Sequence, residues 1–254
     1  MSAGQYLSAR RADRRRRLRR TVLCSTALVV LGVAAYQRGT DDGQPAPSDA
    51  RPAARPTAAE SALPAAPTAP DKGFVASTVT GHAQGKGPAR RWRVETERGS
   101  GVDADAAARA VEAILGDRRG WIRDPAYGFR LAGPGEPVDF TVKIATPATT
   151  DRLCEVVTPE LVGETNCRSG HTVVVNLKRW QEGSPQFRGP VQEYRALIVN
   201  HEVGHELGHE HETCPGPGRP APAMMQQIKG LLGCTPNAWP YSADGTYLSG
   251  PRVP

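Results

Sequence analysis

Beyond its first forty residues the chain has no basic stripe, and that absence removes nucleic acid from the partners to consider. The formal charge of +6 over 254 residues is concentrated at one end. Residues 1–40 hold nine arginines (Arg10, Arg11, Arg14, Arg15, Arg16, Arg17, Arg19, Arg20 and Arg38) against one acid, Asp13, so the remainder has a slight negative balance. No CxxC spacing occurs, which argues against a cysteine-ligated zinc site. No internal repeat is visible, so a solenoid or repeat array is excluded. No apolar run reaches the ~20 residues of an ordinary membrane span. The nearest approach is Thr21–Tyr36, sixteen uncharged residues directly after the arginines.

That run, with its basic flank, predicts a cytoplasmic N-terminus and export of everything that follows. Residues 1–20 are read as a basic cytoplasmic segment and 21–36 as a transmembrane anchor or signal peptide. Val33 and Ala35 offer a small-residue cleavage site, and the long polar lead favours an uncleaved anchor. Arg19 and Arg20 fit a twin-arginine signal only loosely. The expected location is the cell membrane, single-pass with an extracytoplasmic domain, or secreted if the segment is cleaved. Residues 37–72 are rich in Ala, Pro and Thr with almost no large apolar side chain, which predicts a disordered linker. Residues 73–254 are left to fold. Their four cysteines, Cys154, Cys167, Cys214 and Cys234, form an even set suited to an oxidising compartment. Of three connectivities, Cys154 with Cys167 and Cys214 with Cys234 is expected, because each closes a short loop worth about 3 kcal/mol in the chain-entropy account.

Periodicity predicts a strand over Arg91–Glu97, a helix opening at Asp103 or Asp105 and stopping at Gly116, and strands over Gly128–Ala132, Val138–Ala145 and His171–Leu177. A long helix begins near Pro190 and buries Val191, Tyr194, Leu197 and Ile198. Strands and helices in this order predict an α/β or α+β sandwich, of which α+β is expected, with a mixed twisted sheet and one long helix.

That helix runs into Asn200-His201-Glu202-Val203-Gly204-His205-Glu206-Leu207-Gly208-His209-Glu210-His211, which holds four of the six histidines. Residues four apart on a helix lie ~40° apart in azimuth and ~6 Å in height, so His201 and His205 can aim at one point. Neutral imidazoles suit Zn2+, and three protein ligands leave a position open for water. Glu202 can reach that water as general base. Gly208 stands where the helix must end in a left-handed turn, bringing His211 back as third ligand. No glutamate follows Glu212, and Asp244 is the only later acid, so an aspartate-ligand variant is the remaining alternative. His209 fits no ligand position and is read as an exposed loop residue, Glu206 and Glu210 as solvated charges, and His171 as capping a strand or pairing locally. Trp180, Trp239 and Tyr241 are read as core or disulfide-shielding aromatics.

The spacing HExxHxxGxxH resembles the long zinc signature of the metzincin metallopeptidases at each specified position, over about Pro190–Trp239. Taken whole, the chain is similar to small exported metzincin-like proteins of actinobacteria, a likeness that supplies no substrate. The resemblance implies a metzincin-like zincin domain and a methionine turn beneath the metal, formed by Met224 or Met225, with Met225 preferred. It implies no tyrosine ligand, since Gln227 stands at that place. The implied function is a zinc metalloendopeptidase acting on peptide or protein substrates outside the cytoplasm, with Glu202 catalytic and Gly208 and the methionines as structural support. The protein is expected to be a monomer. The alternative is a catalytically silent zinc-containing binding module of the cell envelope.

Overall fold

The computed structural model describes residues 73–253; the segments 1–20, 21–36 and 37–72 discussed above lie outside the described residues. Elements follow in the order β1 (Phe74–Ala76), β2 (Gln84–Gly85), β3 (Ala89–Glu97), α1 (Ala104–Leu115), β4 (Gly128–Leu131), β5 (Phe140–Ala145), α2 (Pro147–Leu153), β6 (Cys167–Ser169), β7 (Thr172–Asn176), α3 (Leu177–Glu182) and α4 (Val191–Glu206). This is a mixed α+β fold with one mixed sheet and four helices among the described residues. None of these helices is long and apolar enough to cross a membrane.

The sheet order is β2-β4-β3-β5-β7-β6. Strands β4, β3, β5 and β7 run parallel, joined by crossovers that carry α1 and α2, while β2 and β6 pair antiparallel at the two edges. Strand β3 meets β4 through Ala89–Trp92 and β1 through Glu95–Glu97. Alternation in β5 sends Phe140, Val142 and Ile144 into the core. On the opposite face Lys143 pairs with Glu95 at 3.2 Å. In β7 the run Val173–Val175 is fully buried, as a central parallel strand covered on both faces requires.

Helix α1 opens where Asp103 accepts the Ala106 N–H at 2.7 Å and closes at Gly116. Its buried face of Ala107, Ala108, Val111 and Leu115 joins the sheet residues and α4 in one core. Helix α4 differs from the expected amphipathic helix. From Ala196 to Gly204 every residue is buried, because the sheet, α1, α3 and the C-terminal segments surround it. Asn200, His201 and Glu202 are therefore carried into the interior by the backbone that bears them.

Several strand ends depart from expectation by one or two residues, and those of β5 and β7 have a clear cause. Strand β5 begins at Phe140, leaving Val138 outside: Pro137 has no N–H for a ladder, and Asp139 takes the Arg91 N–H on its carboxylate at 2.7 Å. Strand β7 excludes both His171 and Leu177. His171 follows Gly170, at φ +54°, in the tight turn from β6. At the other end the Asn176 side chain accepts the Lys178 N–H at 2.9 Å, so Leu177 opens α3.

Candidate metal centre

The end of α4 is set by one glycine. Gly208 adopts φ +92°, a left-handed conformation that costs other residues a Cβ clash. Around it the Gly208 N–H reaches the His205 carbonyl at 3.1 Å and the His209 N–H reaches the Gly204 carbonyl at 2.9 Å. This paired closure satisfies the last carbonyls and reverses the chain.

The reversal brings His211 to His201 and His205, whose ligand atoms all lie within 4.8 Å of one another. His205 Nε2 and His211 Nε2 are 3.1 Å apart. The other ring nitrogens are anchored. His201 Nδ1 donates to the Ala223 carbonyl and His205 Nδ1 to the His209 carbonyl, each at 2.8 Å. A nitrogen facing a carbonyl must carry the proton, so both rings turn a bare Nε2 toward the shared point. Burial, reinforced by repulsion between the rings, holds His201 far below the usual histidine range, at about 3, and shifts His205 and His211 in the same direction. Three neutral, convergent imidazoles suit a borderline-soft dication such as zinc.

His211 is held from two sides. The next residue, Glu212, donates its N–H to the Met224 carbonyl at 3.1 Å, and the Val253 N–H reaches the His211 carbonyl at 3.1 Å. The Glu212 carboxylate accepts the Gly250 N–H at 2.8 Å and the Tyr247 hydroxyl at 3.3 Å, which fastens the C-terminal segment alongside. Nothing in the periodicity of residues 240–253 signals this role.

The two methionines divide. Pro222–Met225 forms a turn closed by the Met225 N–H on the Pro222 carbonyl at 3.0 Å. Met224, at its third place, is buried in the main core against Gly204, and Met225 closes the turn and borders the cavity. Gly204 is needed by space: a Cβ there would stand 2.3 Å from Met224 Sδ and 2.8 Å from Trp121 Cζ2. Gly204→Ala is expected to destabilise the fold by about 1–3 kcal/mol despite its better helix propensity, because Trp121 is fully buried and cannot yield. A urea titration read by tryptophan fluorescence measures this.

Glu202 lies beside the triad and is 4% exposed; its Oε2 has no hydrogen-bond partner. Burial pushes its carboxyl up to about 8, opposed only weakly by Arg168. Glu202, the three histidines, Tyr194 and Arg168 share a cavity of about 360 Å³. Gln227 also borders it but is committed elsewhere: its amide N–H groups donate to the carbonyls of Pro222 and Asn237 at 3.2 and 2.7 Å.

Several single-residue readings need correcting. Glu206 is not a solvated charge: its side chain is 3% exposed and pairs with Arg90 at 3.5 Å and His171 Nδ1 at 2.9 Å, because the end of α4 packs beneath β3 and the β6–β7 turn. His209 is not an exposed loop residue. Its ring stacks on Trp121 with centroids 4.2 Å apart, and Tyr127 Oη lies 3.3 Å from its Nε2. Asp244 is engaged with Ser242 and Thr246 in a surface turn, apart from the histidine cluster. Trp180 and Trp239 are buried core aromatics, and both disulfides join as expected, Cys154–Cys167 and Cys214–Cys234. Arg90→Ala would leave the Glu206 carboxylate buried beside an exposed histidine alone. The expected loss is about 1–3 kcal/mol, discounted because Arg90 is itself 41% exposed, with His171→Ala costing less; thermal melts of the two variants check the order.

Comparison with known families gives one assignment: the profile described as Protein of unknown function (DUF3152) matches residues 64–233, and the chain belongs to that family. The match stops short of Asn237, Ala238 and the C-terminal segment that complete the surroundings of the histidines. No curated protein and no solved structure matches the chain.

Proposed function

We propose that this member of the DUF3152 family is a zinc-dependent endopeptidase of the metzincin type, with His201, His205 and His211 as the metal ligands and Glu202 as general base. The observation that carries the reading is the convergence of three Nε2 atoms, two with their Nδ1 partners anchored on carbonyls, beside a buried carboxylate oxygen that has no partner. A mixed sheet with an antiparallel edge strand beside a long, enclosed helix supports a metzincin-like zincin domain.

Zinc, when bound, would supply Lewis acidity to a water and to the scissile carbonyl. The rest falls to the chain. Burial keeps Glu202 basic enough to take a proton from water and acidic enough to pass it to the leaving amine. The carbonyls of Ala223 and His209 hold the ligand rings in one orientation, so little reorganisation is needed when substrate enters. The strand available to an extended peptide is β6, not β7: β7 lies between β5 and β6, whereas β6 is outermost and its Cys167 and Arg168 line the cavity. A peptide adding to that edge would find free backbone groups, with the Cys154–Cys167 bridge tying the edge strand to α2.

Two disulfides support action in an oxidising compartment outside the cytoplasm. Attachment to the membrane through residues 21–36, or secretion after cleavage there, rests on the basic flank and uncharged run of the sequence. The test is metal analysis of the full-length chain together with cleavage of a mixed peptide library, before and after chelation. One zinc per chain with chelator-sensitive cleavage is the expected result. One zinc without cleavage of any peptide would favour a silent binding module, and absence of metal would end the proposal.

A further inference from the structure

The wall of the cavity formed by β6 carries a side chain that neither the histidine triad nor the general base accounts for. Arg168 is the only cation among the residues lining the cavity. Most arginines near the sheet are spent on acids: Arg90 on Glu206, Arg91 on Asp139, Arg130 on Glu136 and Arg179 on Glu164. Arg168 has no acid within ion-pair distance among the described residues. One Nη–H donates to the Gly170 carbonyl at 3.1 Å, which steers the guanidinium and leaves most of its five donors unspent.

The neighbouring amide side chains around the cavity are each engaged at one end or both. Asn166 Oδ1 accepts the Asn176 N–H at 2.9 Å, Gln226 accepts Lys229 Nζ at 3.0 Å, and Gln227 is held by two carbonyls. Arg168 shares one cavity with Glu202 and the three histidines, so a peptide held there can meet both.

We propose that Arg168 is a specificity-determining residue that binds a carboxylate of the peptide substrate next to the scissile bond, so that the substrates are acidic peptides. The inference rests on the metallopeptidase reading and adds a substrate class to it. A planar guanidinium with several free donors matches a carboxylate in two-point geometry. The open edge of β6 positions the peptide backbone so that the carboxylate meets it.

The experiment uses the full-length chain loaded with Co2+ and three malonyl hydroxamates: one on Glu-Ala amide, one on Gln-Ala amide, and one on Gln-Ala with a free C-terminal carboxylate. Affinity is read from the visible spectrum of the metal. Wild type is expected to bind one of the carboxylate probes about tenfold or more tightly than the neutral one. Which probe gains separates a side-chain carboxylate from a chain terminus. Arg168→Ala should erase that advantage, read in each protein as the ratio of its affinities for the carboxylate and neutral probes, and Arg168→Lys should restore part of it. Equal affinity of wild type for all three probes, or an advantage that survives in Arg168→Ala, overturns the proposal. A chain that takes up no cobalt, or binds no hydroxamate, overturns the metal reading itself and this inference with it.

Discussion

Glu202→Gln is expected to abolish peptide hydrolysis while leaving one zinc per chain. The substitution keeps the size of the side chain and its burial, so the three imidazoles and their carbonyl anchors are undisturbed. What disappears is a group able to accept a proton from water and release it to the leaving amine. Loss of a positioned general base costs on the order of 10²–10⁴ in rate, and a buried amide has no means of substituting for it. His201→Ala should instead lose the metal, since it removes a ligand anchored inside the core at 9% exposure. Metal content and initial rates measured side by side separate the two effects. Undiminished cleavage by Glu202→Gln would remove Glu202 from the mechanism even if zinc is present.

A second large effect is expected in the stability of the metal-free protein as a function of pH. Folding raises the Glu202 carboxyl from 4.5 to about 8, so between those values the folded chain holds a proton that the unfolded chain has released. Stability from this group therefore falls as pH rises through that window. The histidines act in the opposite sense. Folding lowers His201 from 6.5 to about 3, and lowers His205 and His211, so the unfolded chain binds more protons below 6.5 and stability rises with pH there. Unfolded histidines still hold part of their protons just above pH 6.5, so the Glu202 effect is isolated as the difference between chelated wild type and chelated Glu202→Gln, which should move against the wild type by roughly 2 kcal/mol from pH 6.5 to 8. Glu202→Gln should keep only the rise that comes from the histidines. A dication at the triad would draw the Glu202 proton off, so zinc should reverse the slope and release about one proton per ion near pH 7. Denaturant titrations at several pH values, with calorimetry in buffers of different ionisation enthalpy, measure both. Parallel profiles of wild type and Glu202→Gln from pH 6.5 to 8 without metal would contradict the burial of an unpartnered carboxyl.

Much of the site was legible because its determinants are local. Helical periodicity places His201 and His205 on one side of α4 from spacing alone. Gly208 is demanded by a backbone conformation that depends on its immediate neighbours, and the two disulfides span short stretches of chain. The fold class was legible for a similar reason: alternation in β5 and the β-branched run of β7 follow from which faces are covered. Strand ends were less so, since Pro137 and the Asn176 cap act on single hydrogen bonds.

Glu206 and Arg168 show where this kind of reading stops. Both are charged residues in polar surroundings of the sequence, and nothing in their neighbours distinguishes a buried ion pair from an unspent cation in a cavity. The sequence by itself pointed to the cluster of His201, His205 and His211, to the place of Glu202 beside it, to the turn at Gly208 and to the favoured pairing of the cysteines, because spacing and backbone preference act over a few residues. Only the tertiary structure decided that every residue of α4 from Ala196 to Gly204 is buried, that β6 rather than β7 forms the edge beside the cavity, and that Ala223, His209 and Val253 hold the three histidines in place. Those outcomes depend on which distant segments meet, and the burial and hydrogen bonds that follow from such meetings have no period along the chain.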